Sequence, residues 1–220
     1  MWVVTKPLEV TADRCRQIVT ACKLNNVVLA VDYEMRYNPD NQKIYTALSS
    51  GRLGKLILVQ VRLTWYRSQA YYDAGGWRGT WQYDGGGSLM NQTVHLIDLL
   101  QWFSGEVDSV YGTAKVMNHK IETEDVGVGI VKFKSGSVGT ITGTTCSPAD
   151  LPMFVELITD RGIITSNTAQ ITQNICRTGD QLGKFELPEI SSPRNIAEDM
   201  VRALNDGTAP VCDGLDGTKA

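Results

Sequence analysis

The sequence predicts an α/β segment followed by an α+β domain with a large, open, mostly antiparallel sheet. Three patterns lead to this fold class. Helical and strand-like patterns alternate over residues 1–51, apolar residues recur at every second position from near Lys55, and several short strand-like runs follow one long helical run. Strands that collect after a helix are typical of α+β domains, whereas continued alternation would predict a parallel sheet.

Residues 1–51 have the pattern of the last part of a βαβ region. Val3-Val4 predicts the end of a buried strand. The short apolar run over 27–31 is typical of a parallel strand that is covered on both faces. A helix is expected over 40–50, because Gly51 supplies the left-handed conformation that commonly ends a helix.

The remainder of the chain changes period. The alternation over 57–65 predicts a long strand with one apolar face, which belongs in an antiparallel sheet. One helix is expected from Ser88 to Ser104, and a last helix over 193–205 with Ser192 as its N-cap. Six further strand-like runs are separated by turn signals and lie near residues 107–117, 126–133, 138–146, 152–158, 162–166 and 169–176.

Composition excludes several classes of function. The chain has 21 Lys+Arg against 24 Asp+Glu, so a net charge of −3 offers no basic surface for nucleic acid. No run of about 18 apolar residues is present, and we expect neither a membrane span nor a secretory signal. The default expectation is a cytoplasmic protein.

The five cysteines form an odd set without CxxC or Cys/His ligand spacing, and they are Cys15, Cys22, Cys146, Cys176 and Cys212. We therefore expect reduced thiols, with neither a disulfide framework nor a metal site. Cys15 and Cys22 fall on the apolar face of a helix expected over 11–25, with Thr11 as its N-cap, so core packing explains them.

The most informative stretch is the helix expected from Ser88 to Ser104. Asn91, His95 and Asp98 share one face of this helix, and its other faces are apolar. Buried polar groups need partners, so the stripe predicts either an internal hydrogen-bond network or a functional site. The preceding glycines, Gly85 to Gly87, favour a site, because they allow close approach and leave N–H groups free. His95 is then the candidate general acid/base.

Two other regions are candidates. Lys6 follows a predicted strand, where the carboxyl ends of parallel strands form ligand crevices, although an ordinary surface lysine is the alternative. The loop expected over 67–87 is rich in aromatic residues and arginine. Tyr72, Trp77 and Arg78 are expected to contact a sugar or phosphate there, and a well-packed loop is the alternative. His119 lies in a polar connection, and we expect it to be solvated.

Three motifs together resemble the Gfo/Idh/MocA family of NAD(P)-dependent oxidoreductases. Thr5-Lys6-Pro7 is similar to its Glu-Lys-Pro motif, Arg36-Tyr-Asn-Pro39 to its Arg-aromatic-x-Pro turn, and Asn91-x-x-x-His95 to its Asp-x-x-x-His pair. Trp77-Arg-Gly-Thr80 and the three glycines add specificity. Within the family, the Asn-Gln-x-x-His form is similar to the branch that acts on nucleotide-linked amino-sugar uronates of the UDP-N-acetylglucosamine uronate type.

The resemblance implies roles for individual residues. Lys6 and His95 would be catalytic, with His95 exchanging a proton with the carbinol of a sugar. Lys6, Pro7 and Arg36 would lie at an NAD or NADP cofactor, and Asn91 would hold the substrate hydroxyl. Thr5 stands where the family has Glu, and Asn91 where Asp is commoner. The substrate would be a sugar or nucleotide sugar.

The resemblance also implies a domain organisation. Residues 1–51 would be the C-terminal remnant of a Rossmann-like dinucleotide-binding domain, and residues 52–220 a substrate domain whose open sheet forms a homodimer or homotetramer. No GxGxxG turn opens a helix after a strand anywhere in the chain. Two alternatives to a sugar dehydrogenase or reductase stay open. One is a truncated, non-catalytic fragment that dimerises through its sheet, and the other is an NAD-assisted glycosidase.

Overall fold

A computed structural model describes residues 1–220 and contains two sheets. In the smaller sheet, β1 (Trp2–Thr5) runs parallel to β2 (Leu29–Asp32), and α1 (Ala12–Leu24) connects them. The Thr11 side chain accepts a hydrogen bond from the Arg14 N–H, as expected for the N-cap. Val3 is 44% exposed, so the predicted buried strand end was wrong. Because β1 pairs only with β2, it is an edge strand.

The second helix follows soon after β2. A 3₁₀ turn over Glu34–Tyr37 leads into α2 (Pro39–Ser49), whose N-cap is Asn38. Gly51 adopts a positive φ of 75°, so it ends this part of the chain in the left-handed conformation that was predicted.

The larger sheet has eight strands and is open at both edges. Its order is β10-β9-β8-β7-β3-β6-β5-β4, and every neighbouring pair is antiparallel except β3 with β6. This confirms the predicted large, mostly antiparallel sheet. Its strands are β3 (Leu56–Thr64), β4 (Val107–Lys115), β5 (Val126–Phe133), β6 (Val138–Thr144), β7 (Phe154–Thr159), β8 (Gly162–Ser166), β9 (Ile171–Thr178) and β10 (Gln181–Gly183).

Two details of this sheet differ from the sequence expectation. β3 was expected to have antiparallel neighbours, but it lies between β7, which is antiparallel, and β6, which is parallel. The chain passes from β6 to β7 across β3, so the two neighbours run in opposite directions. β10 was missed, because three exposed residues show no alternation.

Helices cover one face of the larger sheet. A π-helical turn over Ser88–Thr93 continues into α4 (Val94–Ser104). Apolar residues of α4 form the main core with the inward side chains of β3, and these residues are Leu96, Leu99, Leu100, Val59, Val61 and Leu63. A short helix, α3 (Gln69–Asp73), lies within the segment that was expected to be a loop. None of the helices is both long and apolar enough to cross a membrane.

The last helix, α5 (Ile196–Asp206), begins later than expected. Its N-cap is Asn195, whose side chain accepts a hydrogen bond from the Glu198 N–H, so the prediction that Ser192 caps the helix was wrong. Ser192 and Pro193 precede the helix in irregular backbone. Beyond α5 the chain returns to the smaller sheet, where the Val31 N–H donates to the Cys212 carbonyl.

A buried ion pair joins these parts of the molecule. The Arg36 guanidinium donates from Nη2 and Nε to the two carboxylate oxygens of Asp98, at 2.7 and 2.9 Å. Its Nη1 donates to Asp216 at 2.9 Å and to the Val211 carbonyl at 3.1 Å. Arg36 and Asp98 are each 2% exposed, so the 3₁₀ turn, α4 and the C-terminal segment meet at one desolvated cation.

We expect Asp98→Ala to destabilise the fold by about 3–5 kcal/mol, because it leaves the Arg36 charge buried with one carboxylate fewer. Urea unfolding at neutral pH measures this loss. Glu106→Gln is the matched control, since it removes an exposed ion pair with Lys134 of the same 2.7 Å length, and its unfolding midpoint should stay at the parent value. Equal midpoints for all three proteins would contradict the role given to the buried pair.

Candidate active site

Four polar side chains meet where β1 ends against the π turn. The Lys6 Nζ donates to the main-chain carbonyl of Asn91 at 2.6 Å. The Asn91 Nδ2 donates to the Asp84 carboxylate, also at 2.6 Å. His95 lies on the following helical turn, and its Nδ1 is buried without a hydrogen-bond partner. We call Lys6, Asp84, Asn91 and His95 the polar cluster.

Lys6 is a partly buried cation at the carboxyl end of a parallel strand, the position at which open α/β sheets bind ligands. Burial lowers the pKa of its ammonium group, and the negative charges of Glu34 and Asp84 oppose that shift. The alternative of an ordinary surface lysine does not fit this burial and its hydrogen bond to Asn91.

His95 is poised as a neutral imidazole. Burial, and secondly the positive charge of Lys6, lower its pKa to about 4. Its ring lies edge-on to the buried Tyr33 ring, with 6.2 Å between centroids. Because the ring is neutral near pH 7 and its Nδ1 has no hydrogen-bond partner, its basic nitrogen is free to accept a proton from a molecule bound in the cluster.

Asp84 is the member of the cluster that the sequence analysis missed. Its carboxylate is buried, and besides the Asn91 amide it accepts a hydrogen bond from the Gly79 N–H at 2.8 Å. Burial raises the pKa of this carboxyl group, although its hydrogen bonds and the nearby positive charges oppose the shift. The sequence signal that could have indicated Asp84 is its position directly before Gly85.

The three glycines have a different role from the predicted one. The backbone that approaches Gly87 is that of Glu124, and a Cβ at Gly87 would collide with the Glu124 carbonyl oxygen. The Glu124 carboxylate accepts hydrogen bonds from the Gly87 N–H at 3.0 Å and the Leu89 N–H at 2.8 Å. These N–H groups are therefore occupied from within the chain, and no free anion site remains at this helix N-terminus.

Asp98 and Arg36 belong to the ion pair already described rather than to the polar cluster. The polar stripe of the helix is thus divided: Asn91 and His95 lie in the polar cluster, and Asp98 lies in an internal hydrogen-bond network. A cavity of about 470 Å³ borders Arg36 and Trp102. The contact of Arg36 with a cofactor stays a prediction, and all four hydrogen bonds of its guanidinium are made within the chain.

The aromatic loop is packed at its base and exposed at its tip. The Tyr72 hydroxyl lies 2.8 Å from the Thr145 hydroxyl, and its side chain is buried, whereas Trp77 is 40% exposed. The Arg78 guanidinium stacks 4.7 Å from the ring centroids of both Tyr71 and Trp77. Substrate contacts of Tyr72, Trp77 and Arg78 stay predictions.

The loop is tied to the polar cluster through Gln92. The Gln92 side chain donates to the Tyr71 hydroxyl at 3.0 Å and accepts from the Arg67 Nη2 at 3.1 Å. Arg67 lies over the same Tyr71 ring, 5.4 Å from its centroid. The guanidinium groups of Arg67 and Arg78 therefore flank the Tyr71 ring, whose hydroxyl is hydrogen-bonded to Gln92.

The expectation that His119 is solvated was wrong. Its ring is buried, with Nδ1 2.9 Å from an Asp125 carboxylate oxygen and Nε2 2.8 Å from the Arg67 carbonyl oxygen. Asp125 also accepts three main-chain N–H groups, which hold its carboxyl pKa at about 2 despite its burial. The polar neighbours of His119 in the sequence gave no sign of this partner six residues away.

A metal could in principle use His119, Asp125 and Cys146, whose donor atoms all lie within 4.8 Å of one another. Burial raises the pKa of the Cys146 thiol to about 11, whereas a metal ligand must be a thiolate. Because Asp125 and His119 are already hydrogen-bonded within the chain, the geometry fits a structural hydrogen-bond network that holds the loop at Arg67 better than a metal centre.

Comparisons with known proteins identify the family of this chain. The model of the GFO/IDH/MocA C-terminal domain matches residues 41–165. The chain belongs to the Gfo/Idh/MocA family. The WlbA dehydrogenase from Bordetella pertussis, solved in complex with NADH and UDP-GlcNAcA, superposes with a TM-score of 0.84 at 30% identity, over 99% of this chain and 64% of WlbA.

Two relatives by sequence are inositol dehydrogenases. The inositol 2-dehydrogenase of Rubrobacter xylanophilus is 26% identical over 163 residues, which are 72% of this chain and 44% of that protein. The myo-inositol 2-dehydrogenase of Thermotoga maritima is 21% identical over 226 residues, covering 98% of this chain and 65% of that protein. The chain therefore spans less than two thirds of the length of these relatives.

The polar cluster offers two groups to a bound cofactor or substrate. The Lys6 ammonium is a hydrogen-bond donor at the end of β1, and the buried His95 Nδ1 has no hydrogen-bond partner within the chain. Residues for the cofactor's phosphates are not evident, because the N–H groups after the three glycines are bonded to Glu124.

The low pKa of His95 predicts a pH-dependent stability. An unfolded histidine takes up a proton near pH 6.5, whereas folded His95 does so only near pH 4. The unfolded state therefore binds more protons in this window, and stability rises with pH across it. Between pH 7 and pH 4 we expect the parent to lose about 3 kcal/mol more than His95→Asn. Denaturant unfolding at both pH values measures the difference, and equal losses would contradict the buried, neutral imidazole.

Proposed function

We propose that the chain is the catalytic part of an oxidoreductase that transfers a hydride between a sugar carbinol and NAD or NADP. The observation that carries this proposal is the unpartnered His95 imidazole beside the Lys6 cation, at the carboxyl end of a parallel strand. Residues with these properties are what a carbinol oxidation needs, namely a neutral base and a nearby positive charge.

The residues of the polar cluster have distinct tasks in this proposal. His95 removes the hydroxyl proton of the substrate as the C–H bond is broken, and returns it in the reductive direction. Asn91 binds a neighbouring hydroxyl group of the sugar, and Lys6 stabilises the developing negative charge on the reacting oxygen. The nicotinamide cofactor, when bound, supplies the hydride chemistry.

An anionic sugar is the substrate class that we favour. Arg67 and Arg78 flank the Tyr71 ring, and Arg78 forms no ion pair within the chain, so positive charge is available beside the cluster. Guanidinium groups match carboxylate and phosphate geometry. A nucleotide-linked uronate carries both groups, and the WlbA structure that this chain resembles contains UDP-GlcNAcA.

We further propose a division of labour along the chain. Residues 1–51 form the end of a dinucleotide-binding unit, and residues 52–220 form the substrate domain. The C-terminal segment after α5 belongs to the substrate domain by its place in the sequence, but it packs on β2 of the first unit and so connects the two.

The uncovered face of the large sheet supports self-association. Tyr111, Val128 and Ile130 lie beside one another on β4 and β5 and are 45–61% exposed. Contiguous exposed apolar side chains are typical of protein interfaces. We propose that this face joins two or four copies of the chain.

Replacement of His95 by Asn should lower turnover by about 10²–10⁴-fold, because it removes the general base. The assay uses the full translation product of the gene, with NAD or NADP and a UDP-linked uronate. The dissociation constant for NADH, measured by fluorescence titration, should stay near the parent value. Unchanged turnover in the variant would refute the role of His95.

Replacement of Ile130 by Asp should shift the chain to monomers, because it places a charge in the proposed interface. Sedimentation velocity measures the change. Val201→Asp is the matched control, since Val201 is equally apolar and 58% exposed but lies on α5, away from the sheet face. The proposal fails if both variants keep the parent's sedimentation coefficient.

A further inference from the structure

Asp84 is the member of the polar cluster that is held in a single orientation. The residue is 5% exposed, and its two carboxylate oxygens accept hydrogen bonds from the Asn91 amide and the Gly79 N–H. Its main-chain N–H donates to the Thr80 carbonyl. No lysine or arginine lies within ion-pair distance of it. A buried carboxylate without a salt bridge is costly, so its presence calls for an explanation beyond packing.

The first consequence of Asp84 concerns the direction of the Asn91 side chain. An ionised carboxylate only accepts hydrogen bonds, so it fixes the Asn91 NH₂ group toward itself. The opposite amide orientation would set the Asn91 oxygen against the carboxylate, with only repulsion between them. The Asn91 Oδ1 therefore points away, where it accepts from Gln92 at 3.2 Å, and its second lone pair is left to accept from a sugar hydroxyl next to the reacting one.

The second consequence is electrostatic. The charges of Glu34 and, next to it in size of effect, Asp84 raise the pKa of Lys6 against the effect of burial, and Glu34 is unchanged in every variant below. The Lys6 charge in turn lowers the pKa of His95. Asp84 thus acts on the base through Lys6, in addition to its contact with Asn91.

We propose that Asp84 is a positioning residue that supplies the carboxylate missing at position 91, acting on the site through the Asn91 amide and the Lys6 charge. The family's commoner Asp-x-x-x-His pair has the carboxylate in the motif itself. In this chain the motif has an amide at position 91, and the carboxylate lies at Asp84, hydrogen-bonded to that amide. This inference rests on the function proposed above.

An exchange of the two side chains tests the proposal directly. Asp84→Asn leaves the Gly79 N–H or the Asn91 amide without an acceptor, and we expect kcat to fall about 10–100-fold, the range typical of lost outer-shell partners in metal sites. Asn91→Asp sets two carboxylates 2.6 Å apart, and we expect its kcat to fall at least as far as that of Asp84→Asn. The double variant restores one amide and one carboxylate, and its kcat should exceed that of either single variant at least tenfold.

Additive losses in the double variant would overturn the proposal, because residues that do not act as a pair give independent effects. Glu122→Gln is the matched control. Its carboxylate accepts from the Trp81 N–H at 3.0 Å in the same loop but does not contact Asn91, and this variant should keep the parent's kcat.

A pH profile separates positioning from a purely structural role. As pH rises, kcat/KM should fall where Lys6 loses its proton. Loss of the Asp84 charge should move this fall to lower pH, whereas a damaged loop would lower the rate at every pH and leave the position of the fall unchanged. An unchanged position of the fall in Asp84→Asn, with the rate reduced, would count against the proposal.

A measurement without turnover separates this inference from the proposed function. The NMR signal of ¹³Cε-labelled Lys6 in the 220-residue chain, assigned by its loss in Lys6→Arg, should titrate at lower pH in Asp84→Asn than in the parent. If the parent turns over no sugar but this shift is present, the proposed function fails and the coupling stands. If turnover depends on His95 but neither the exchange nor the titration responds to Asp84, the inference about Asp84 fails.

Discussion

The helix that begins at Ser88 carries an amide, an imidazole and a carboxylate into the interior, and the rest of the structure is arranged to meet the needs of these three groups. Asp98 pairs with Arg36, and this pair joins the helix to the 3₁₀ turn and to the C-terminal segment. Asn91 is hydrogen-bonded to Asp84 and Lys6, and these bonds join the helix to the aromatic loop and to the end of β1. Of these three side chains, only the His95 ring keeps a buried atom without a hydrogen-bond partner. Because burying polar groups is costly, their partners connect the two sheets, and the unpartnered ring nitrogen faces the proposed site.

The electrostatics of the site follow from the order of its charges. Asp84 favours the charged form of Lys6, and charged Lys6 disfavours the charged form of His95. The cluster thus holds a cation and a neutral base side by side, although burial disfavours the charged form of both groups. This separation of protonation states is what a proton transfer coupled to carbinol oxidation requires, and it explains how Asn91 can stand where the family more often has a carboxylate.

The sequence was sufficient for the elements that have a strong period, and insufficient for contacts that depend on the path of the chain. The alternation after Lys55 and the cap at Thr11 are local signals, and the structure contains both elements. Lys6, Asn91 and His95 were singled out because each lies in a recognisable motif. Asp84, Glu124 and the His119–Asp125 pair were missed, because their contacts depend on how irregular loops fold and follow no helix or strand period. The π turn was missed for a related reason, since its sequence is an ordinary helical one.

The most direct test of the account is a crystal structure of the full translation product with a nicotinamide cofactor and a UDP-linked uronate. We expect the hydroxyl of the reacting sugar carbon to lie about 2.6–3.2 Å from a ring nitrogen of His95, with the Asn91 side-chain oxygen accepting from a neighbouring hydroxyl of the same sugar. A sugar bound instead in the cavity beside Arg36 and Trp102, with no contact to His95, would contradict the claim that the polar cluster is the catalytic centre.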